Sequence, residues 1–178
     1  MIYRSLPSIY LLFVVLVMLN FSGCFYSFTG ASVPSHMQTV AIPVVEDRSG
    51  TAEAGLSESF TSTLIQKFVD DNTLQISERV SADALVEKTI ISLDDAPSVI
   101  SSGSQGTVGE QISTKRITIT VRTVFRDLVQ KKIIFDRRFS NFSDYSTEGD
   151  VFNNRREAIQ KAVELVTDDI LIGTVSNW

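Results

Sequence analysis

The sequence predicts an α+β fold, a two-layer sandwich in which two helices pack on one face of a mixed, mostly antiparallel sheet of about four strands. Two segments, Ala54–Asp71 and Val151–Ile172, carry apolar residues at helical spacing, and Lys115–Val129 alternates between apolar and polar residues. Each of these elements has one apolar side. Such elements are stable only when their apolar sides are buried against one another, which favours two layers.

The two helices are defined by their apolar stripes. The first stripe recurs at every fourth position, at Leu56, Phe60, Leu64 and Phe68. The second stripe consists of Ile159, Ala162, Val163, Val166 and Ile170. Gly173 follows the second stripe at the place where a glycine commonly ends a helix, so we expect it to be a C-terminal cap.

The strands are predicted from β-branched and aromatic runs. Thr39–Val45 is nearly continuous in apolar residues, whereas Ala84–Leu93 and Lys115–Val129 alternate. Ile133–Phe142 follows a turn and should pair antiparallel with the strand before it. Leu74–Val80 either forms a short strand or leads into the next one.

One long segment between the strands has the composition of a loop. It runs from Asp94 to Gly109 and includes Gly103 and Gly106. The spacing of a phosphate-binding P-loop is absent. We therefore expect a hairpin tip rather than a phosphate site.

Basic side chains collect on the two predicted long strands. They are Arg116, Arg122, Arg126, Arg137 and Arg138. Two interpretations remain open. The arginines either lie on a solvated face with cross-strand partners such as Asp136, or they form a surface for an anionic ligand, since guanidinium groups suit phosphate and carboxylate.

The N-terminus has the pattern of an exported lipoprotein. Arg4 precedes an apolar run from Ile9 to Leu19, and the only cysteine, Cys24, follows Ser22-Gly23. This order resembles a lipobox, in which cleavage before the cysteine leaves a lipid-modified N-terminus. We expect a signal peptide at 1–23, an acylated N-terminus and tether at 24–37, and a sandwich domain at 38–178. A single-pass membrane anchor is the alternative, although the run is shorter than a spanning helix needs.

Composition excludes several classes of function. The formal net charge is −5, and removal of Arg4 with the signal peptide makes it more negative, which disfavours nucleic-acid binding. One cysteine and one histidine, His36, leave no Cys–His or Ser–His site and no metal cluster. His36 lies in the predicted tether, where we expect a solvated linker residue. We expect no enzyme, no cofactor and no metal.

Several short motifs follow one another along the chain. They are Phe25-Tyr26-Ser27-Phe28-Thr29-Gly30, Val40-Ala41-Ile42-Pro43 with Glu46 and Asp47, Ala82-Asp83-Ala84, Val121 to Asp127-Leu128, Glu157-Ala158-Ile159 and Trp178. In this order they resemble the motifs of the LptE-like lipopolysaccharide-assembly lipoproteins. The series spans nearly all of the chain after Cys24.

The resemblance implies an outer-membrane lipoprotein. In that family a small α/β sandwich sits inside a large β-barrel partner, supports its assembly, and contacts lipopolysaccharide that the pair delivers to the outer leaflet. Phe25 after the cysteine, in place of aspartate, fits an outer-membrane destination. The first alternative is a lipid-anchored periplasmic binding module for another anionic ligand or an envelope polymer. The second is an enzyme acting on envelope polymers, which would need paired carboxylates.

Overall fold

The computed structural model describes residues 33–51, 53–98 and 114–176, which form six strands and two helices. In chain order these are β1 (Thr39–Ala41), β2 (Glu46–Asp47), α1 (Leu56–Asp71), β3 (Gln75–Ile76), β4 (Ala84–Pro97), β5 (Thr114–Asp127), β6 (Lys132–Ser146) and α2 (Val151–Val175). The predicted signal peptide, Cys24, the first part of the tether, Gly103, Gly106 and Trp178 lie outside the described residues.

The sheet has the order β3-β1-β4-β5-β6, and β2 also pairs with β4. Strand β1 pairs in parallel with β3 and with β4, and β2 pairs in parallel with β4. The long strands β4, β5 and β6 pair with one another in antiparallel order. The predicted α+β class and the mixed, mostly antiparallel sheet are confirmed. The number of strands is six rather than about four.

The extra strands arise where the predicted run Thr39–Val45 is interrupted. Ala41 pairs with Leu85, but Glu46 pairs with Thr89, so one additional residue is accommodated on the β1–β2 side. Pro43 lies in this interval and has no N–H to donate to the ladder. The run therefore divides into two short strands around an irregular segment.

Both helices cover one face of the sheet and form a single main core with it. The fully buried large side chains of this core include Phe60, Leu64 and Phe68 from α1, Ile170 from α2, and Ile90, Ile117, Ile119 and Phe125 from the sheet. The predicted stripes of both helices are thus the buried stripes. A second, small cluster of Ala41, Ala82 and Leu85 lies apart from the main core.

Strands β4 and β6 are longer than the sequence pattern indicates. The Tyr145 hydroxyl donates to the Asp95 carboxylate, with both oxygens 2.9 Å away, and Nε of Arg155 in α2 lies 3.0 Å from the same group. These contacts join the far ends of the two strands to α2. Strand β4 therefore continues to Pro97, into the segment from Asp94 onward that the sequence pattern predicts to be a loop.

Gly173 is not a helix cap, because α2 continues to Val175. A Cβ at position 173 would lie 2.9 Å from Cζ of Phe139 in β6, closer than such atoms approach. The absence of a side chain therefore lets α2 approach β6 closely. The prediction of a C-terminal cap was wrong, and the glycine serves helix–sheet packing.

Candidate functional site

The face of β4–β6 that the helices leave uncovered is polar. We call it the outer face. In the alternation of β5 it carries Arg116, Thr118, Thr120, Arg122 and Arg126, while Ile117, Ile119 and Val121 point toward the helices and are buried. A sheet with one face packed and one solvated shows this pattern.

Three of the five candidate anion-binding arginines form ion pairs with carboxylates on this face. Arg116 binds Asp144 through two hydrogen bonds of 2.7 and 2.9 Å. Arg122 binds Asp136 in the same two-pronged way, with Nε 2.8 Å from Oδ1.

The third pair joins β5 to β4, where Nε of Arg126 lies 2.8 Å from the Glu87 carboxylate. The hydrogen bonds from Arg122 and Arg116 hold the pKa of Asp136 and Asp144 below the usual value of a carboxyl. These contacts are the cross-strand pairs that the first interpretation of the arginines expects.

Arg138 is placed differently. It lies on β6 directly opposite Arg122, and among the described residues it has no ion-pair partner. The Asp136 carboxylate already compensates Arg122, and its pKa is lowered by the nearby charge of Arg138 as well. Arg138 is therefore the cation of the outer face with most capacity left for an added anion.

The five arginines do not form one cluster. Arg116 is six residues from Arg122 along β5, which corresponds to about 20 Å. Arg137 pairs with Thr123 in the sheet and so lies on the helix-facing side, where its guanidinium carbon is 5.3 Å from the centre of the Phe135 ring. The structure brings Arg122, Arg126 and Arg138 into one region and leaves the other two outside it.

A shallow cleft of about 340 Å³ adjoins this region. Its lining includes Pro43, Val44, Glu46, Glu87, Lys88, Arg122 and Arg126. The cleft lies where the irregular segment between β1 and β2 meets β4 and β5. It combines cationic and anionic side chains, so it is a polar rather than an apolar site.

Lys88 is a buried basic side chain, and the alternation of the strand alone does not explain why a lysine occupies this position. It is 4% exposed and shares the helix-facing side of β4 with Val86 and Ile90. Burial lowers the pKa of Lys88 to about 7. Its Nζ donates a hydrogen bond to the carbonyl of Pro43. The signal in the sequence was a lysine at an apolar position between Val86 and Ile90.

His36 is not a solvated linker residue, and that expectation was wrong. Its Nε2 lies 2.8 Å from Oδ2 of Asp127, whose side chain is fully buried at the end of β5. Burial raises the pKa of Asp127, but the hydrogen bonds from the Gln130 N–H and from His36 outweigh it and hold this pKa below its usual value. The end of the predicted tether is thus fastened to the sheet, and nearby Met37 is buried in the core.

Neither described helix combines the length and apolarity that crossing a membrane requires. Within the described part of the chain, no group of three or more His, Cys, Asp or Glu side chains is placed to hold a metal ion. Cys24, the proposed lipid attachment site, lies outside the described residues.

The fold is shared with solved bacterial proteins of low sequence identity. A hypothetical protein from Chlamydia trachomatis matches with a TM-score of 0.53 and 10% identity, covering 76% of this chain and 96% of that one. A protein from Xanthomonas campestris matches with a TM-score of 0.51 and 11% identity, covering 79% and 86%. The rare lipoprotein B from Shewanella oneidensis matches with a TM-score of 0.50 and 11% identity, covering 76% and 92%. At these identities the likeness establishes the fold alone.

No curated protein matches the chain. The family model of LptE, described as lipopolysaccharide-assembly, matches residues 37–172. This range contains all but the ends of the folded unit, from the buried Met37 to the last turn of α2. The chain therefore belongs to the LptE family of lipopolysaccharide assembly.

Proposed function

We propose that this protein is an outer-membrane lipoprotein that is anchored through acylated Cys24 and seated in a large β-barrel partner, where the pair delivers lipopolysaccharide to the outer leaflet. The observation that carries the proposal is the family match over residues 37–172. The family works in lipopolysaccharide assembly rather than in catalysis. The lipobox-like sequence before Cys24 supports the anchor.

The outer face supports the plug role on physical grounds. The interior of a wide outer-membrane barrel is polar, so a protein seated there needs a polar surface. The outer face offers hydroxyls, such as those of Thr120 and Ser140, which lie 3.1 Å apart, and three of its arginines are already paired with carboxylates. Such a surface can enter a hydrated lumen with Arg138 as the one arginine of this face that has no ion-pair partner among the described residues.

Affinity purification from outer membranes tests the partner. The full chain is isolated from its native host in mild detergent, and the proteins that accompany it are identified by mass spectrometry. We expect a large β-barrel protein in near-equal amount. If no barrel protein is recovered and depleted cells keep normal surface lipopolysaccharide, the proposal is contradicted.

The same preparation tests the anchor. We expect the N-terminal residue to be acylated Cys24, and the variant Cys24→Ser to accumulate as an uncleaved or non-acylated precursor. A normally acylated mature protein in that variant would contradict the assignment of Cys24.

We further propose that Arg122, Arg126 and Arg138 contact the anionic groups of lipopolysaccharide. Arg122 and Arg126 line the cleft and Arg138 lies opposite Arg122 on the same face, which supports these three over Arg116 and Arg137. A hydrogen bond to a charged group contributes about 1.5–3 kcal/mol, so loss of Arg138 should weaken binding by about tenfold or more.

Binding of purified lipopolysaccharide to the full chain measures this effect. The variant is Arg138→Ala, and the matched control is Arg156→Ala, an exposed arginine on α2. Equal affinity for both variants would exclude Arg138 from the binding surface.

The alternative function is a lipid-anchored periplasmic binding module for another anionic ligand or envelope polymer. The cleft of about 340 Å³ with Arg122 and Arg126 favours it, because a small anionic group fits such a volume. Full function of a chain that lacks the anchor or the barrel partner would favour the module over the plug.

A further inference from the structure

The end of the sheet from which the N-terminal segment leaves exposes apolar side chains. Val80 is 98% exposed and Val129 is 55% exposed. Val80 lies in the turn before β4, and Val129 lies in the turn between β5 and β6. The two turns adjoin, since the N–H of Leu128 donates to the carbonyl of Asp83 at 2.8 Å. We call residues 78–83 and 128–132 the apolar corner.

Basic side chains flank these valines. Lys131 and Lys132 follow Val129, are exposed, and have no ion-pair partner among the described residues. Arg79 precedes Val80, and its side chain is 67% exposed at 3.7 Å from Glu87. Each apolar tip therefore has a cation beside it.

The acidic groups at and beside the corner are held by hydrogen bonds. Asp83 accepts hydrogen bonds from the Gln38 and Thr39 N–H groups, both 3.0 Å long. Asp127 is bound by His36. The corner therefore holds three cations, Arg79, Lys131 and Lys132, against two acids, Glu78 and Asp83, which gives it a net charge of +1.

The described chain begins at the same end of the sheet as this corner. The contact of His36 with Asp127 fixes the N-terminal segment at the same end of the sheet. The chain from Cys24 to Val33 is nine residues long, and nine extended residues span at most about 30 Å. With Cys24 acylated, this end of the folded unit can lie no farther than about 30 Å from the attachment point, which leaves it able to reach the lipid surface.

We propose that the apolar corner rests on the anionic lipid surface, with Val80 and Val129 in the headgroup region and the neighbouring cations on lipid phosphates. Apolar tips combined with basic side chains are the combination that binds a charged bilayer interface. The inference rests on the proposed acylation of Cys24. It defines which end of the sheet faces the membrane.

Site-specific fluorescence tests the proposal on the full acylated chain. Acylation blocks the thiol of Cys24, so a cysteine introduced by Val80→Cys or Val129→Cys is the only one that reacts with an environment-sensitive dye. The control is Phe152→Cys, a residue that is 72% exposed at the start of α2. It lies beyond the opposite end of β6, about 45 Å along the strand.

The labelled proteins are reconstituted into vesicles of phosphatidylethanolamine and phosphatidylglycerol. We expect blue-shifted emission at positions 80 and 129, with at least twofold quenching by lipids brominated on their acyl chains, and neither effect at position 152. Emission at 80 and 129 that matches the control would overturn the proposal. A blue shift without lipid quenching would also overturn it, because it would indicate a protein contact.

Mass spectrometry of the N-terminal residue distinguishes a failure of the Cys24 anchor from a failure of the proposed membrane contact. An unmodified Cys24 would overturn the anchor and this inference together, whereas acylated Cys24 with unquenched positions 80 and 129 would overturn the inference alone.

A charge variant tests whether the two lysines contribute to the membrane contact. Lys131→Glu combined with Lys132→Glu should reduce quenching at position 129 at least twofold, and unchanged quenching would remove the role of the two lysines.

Discussion

The two faces of strands β4–β6 are formed by alternate residues of the same strands, yet they differ in burial, polarity and charge. The helix-facing side buries Ile117, Ile119 and Phe125 against two helices, whereas the outer face pairs Arg122 with Asp136 in solvent. Burial of apolar surface stabilises a fold far more than exposed ion pairs do. The difference indicates that the helix-facing side specifies the fold, and that substitutions on the outer face should cost little stability.

The largest expected effect comes from the centre of the helix-facing side. Phe125 is fully buried and its ring lies 5.6 Å from that of Phe135. Phe125→Ala should lower the free energy of unfolding by about 3–5 kcal/mol, through lost burial and a cavity. Urea denaturation measures this, with Arg122→Ala on the outer face as control. Equal losses in the two variants would break the comparison between the faces.

Lys88 is the exception on the helix-facing side, and its effect depends on pH. Its pKa is about 7 in the folded protein and near 10.4 in an unfolded chain. Between these values the unfolded state binds more protons, so the free energy of unfolding should rise with pH, by up to about 1.4 kcal/mol per pH unit.

Chemical denaturation from pH 7 to 9.5 measures that rise, and Lys88→Met should abolish it. Lys161→Met, at an exposed position of α2, should retain it. If Lys88→Met shows the same rise as the wild type, Lys88 is not the group responsible.

Thr123 faces Lys88 across the β4–β5 pairing and is also buried. Its hydroxyl oxygen has no hydrogen-bond partner among the described residues. Thr123→Val keeps the shape and removes this polar atom, so it should raise the free energy of unfolding by about 1 kcal/mol. A clear loss of stability would show that the hydroxyl has a partner, such as a buried water.

An effect of similar size concerns the N-terminal segment at the end of the sheet. His36→Ala removes a donor to the buried Asp127 and should cost about 1 kcal/mol. Limited proteolysis before residue 39 should become faster in this variant, while His36→Gln, which keeps an N–H donor, should restore part of the protection. An unchanged cleavage rate in His36→Ala would show that the contact does not hold the segment.

Local patterns predicted the helices and the long strands because each has one apolar side. Phe60, Leu64 and Phe68 are buried as their spacing requires, and α1 ends at Asp71 as expected. The sequence pattern did not predict where β4 and β6 end, because their ends are fixed by contacts of Tyr145 and Arg155 with Asp95, which is distant in the chain.

The missed features share a dependence on long-range contacts. His36 meets Asp127 across 91 residues, and the role of Gly173 depends on where Phe139 lies. The five arginines looked equivalent in sequence, and only the register separated Arg137 from the outer face and left Arg138 opposite Arg122. Lys88 was visible as a lysine in an apolar stripe, although its bond to Pro43 was not.

The central claim is that the outer face serves lipopolysaccharide assembly while the helix-facing side serves the fold. The direct measurement is surface lipopolysaccharide in native-host cells that are depleted of the protein and supplied with a variant. We predict that Arg122→Ala combined with Arg138→Ala accumulates normally, unfolds at the wild-type urea midpoint and fails to restore surface lipopolysaccharide, whereas Arg156→Ala combined with Lys161→Ala on α2 restores it. Full restoration by the outer-face variant would contradict the account.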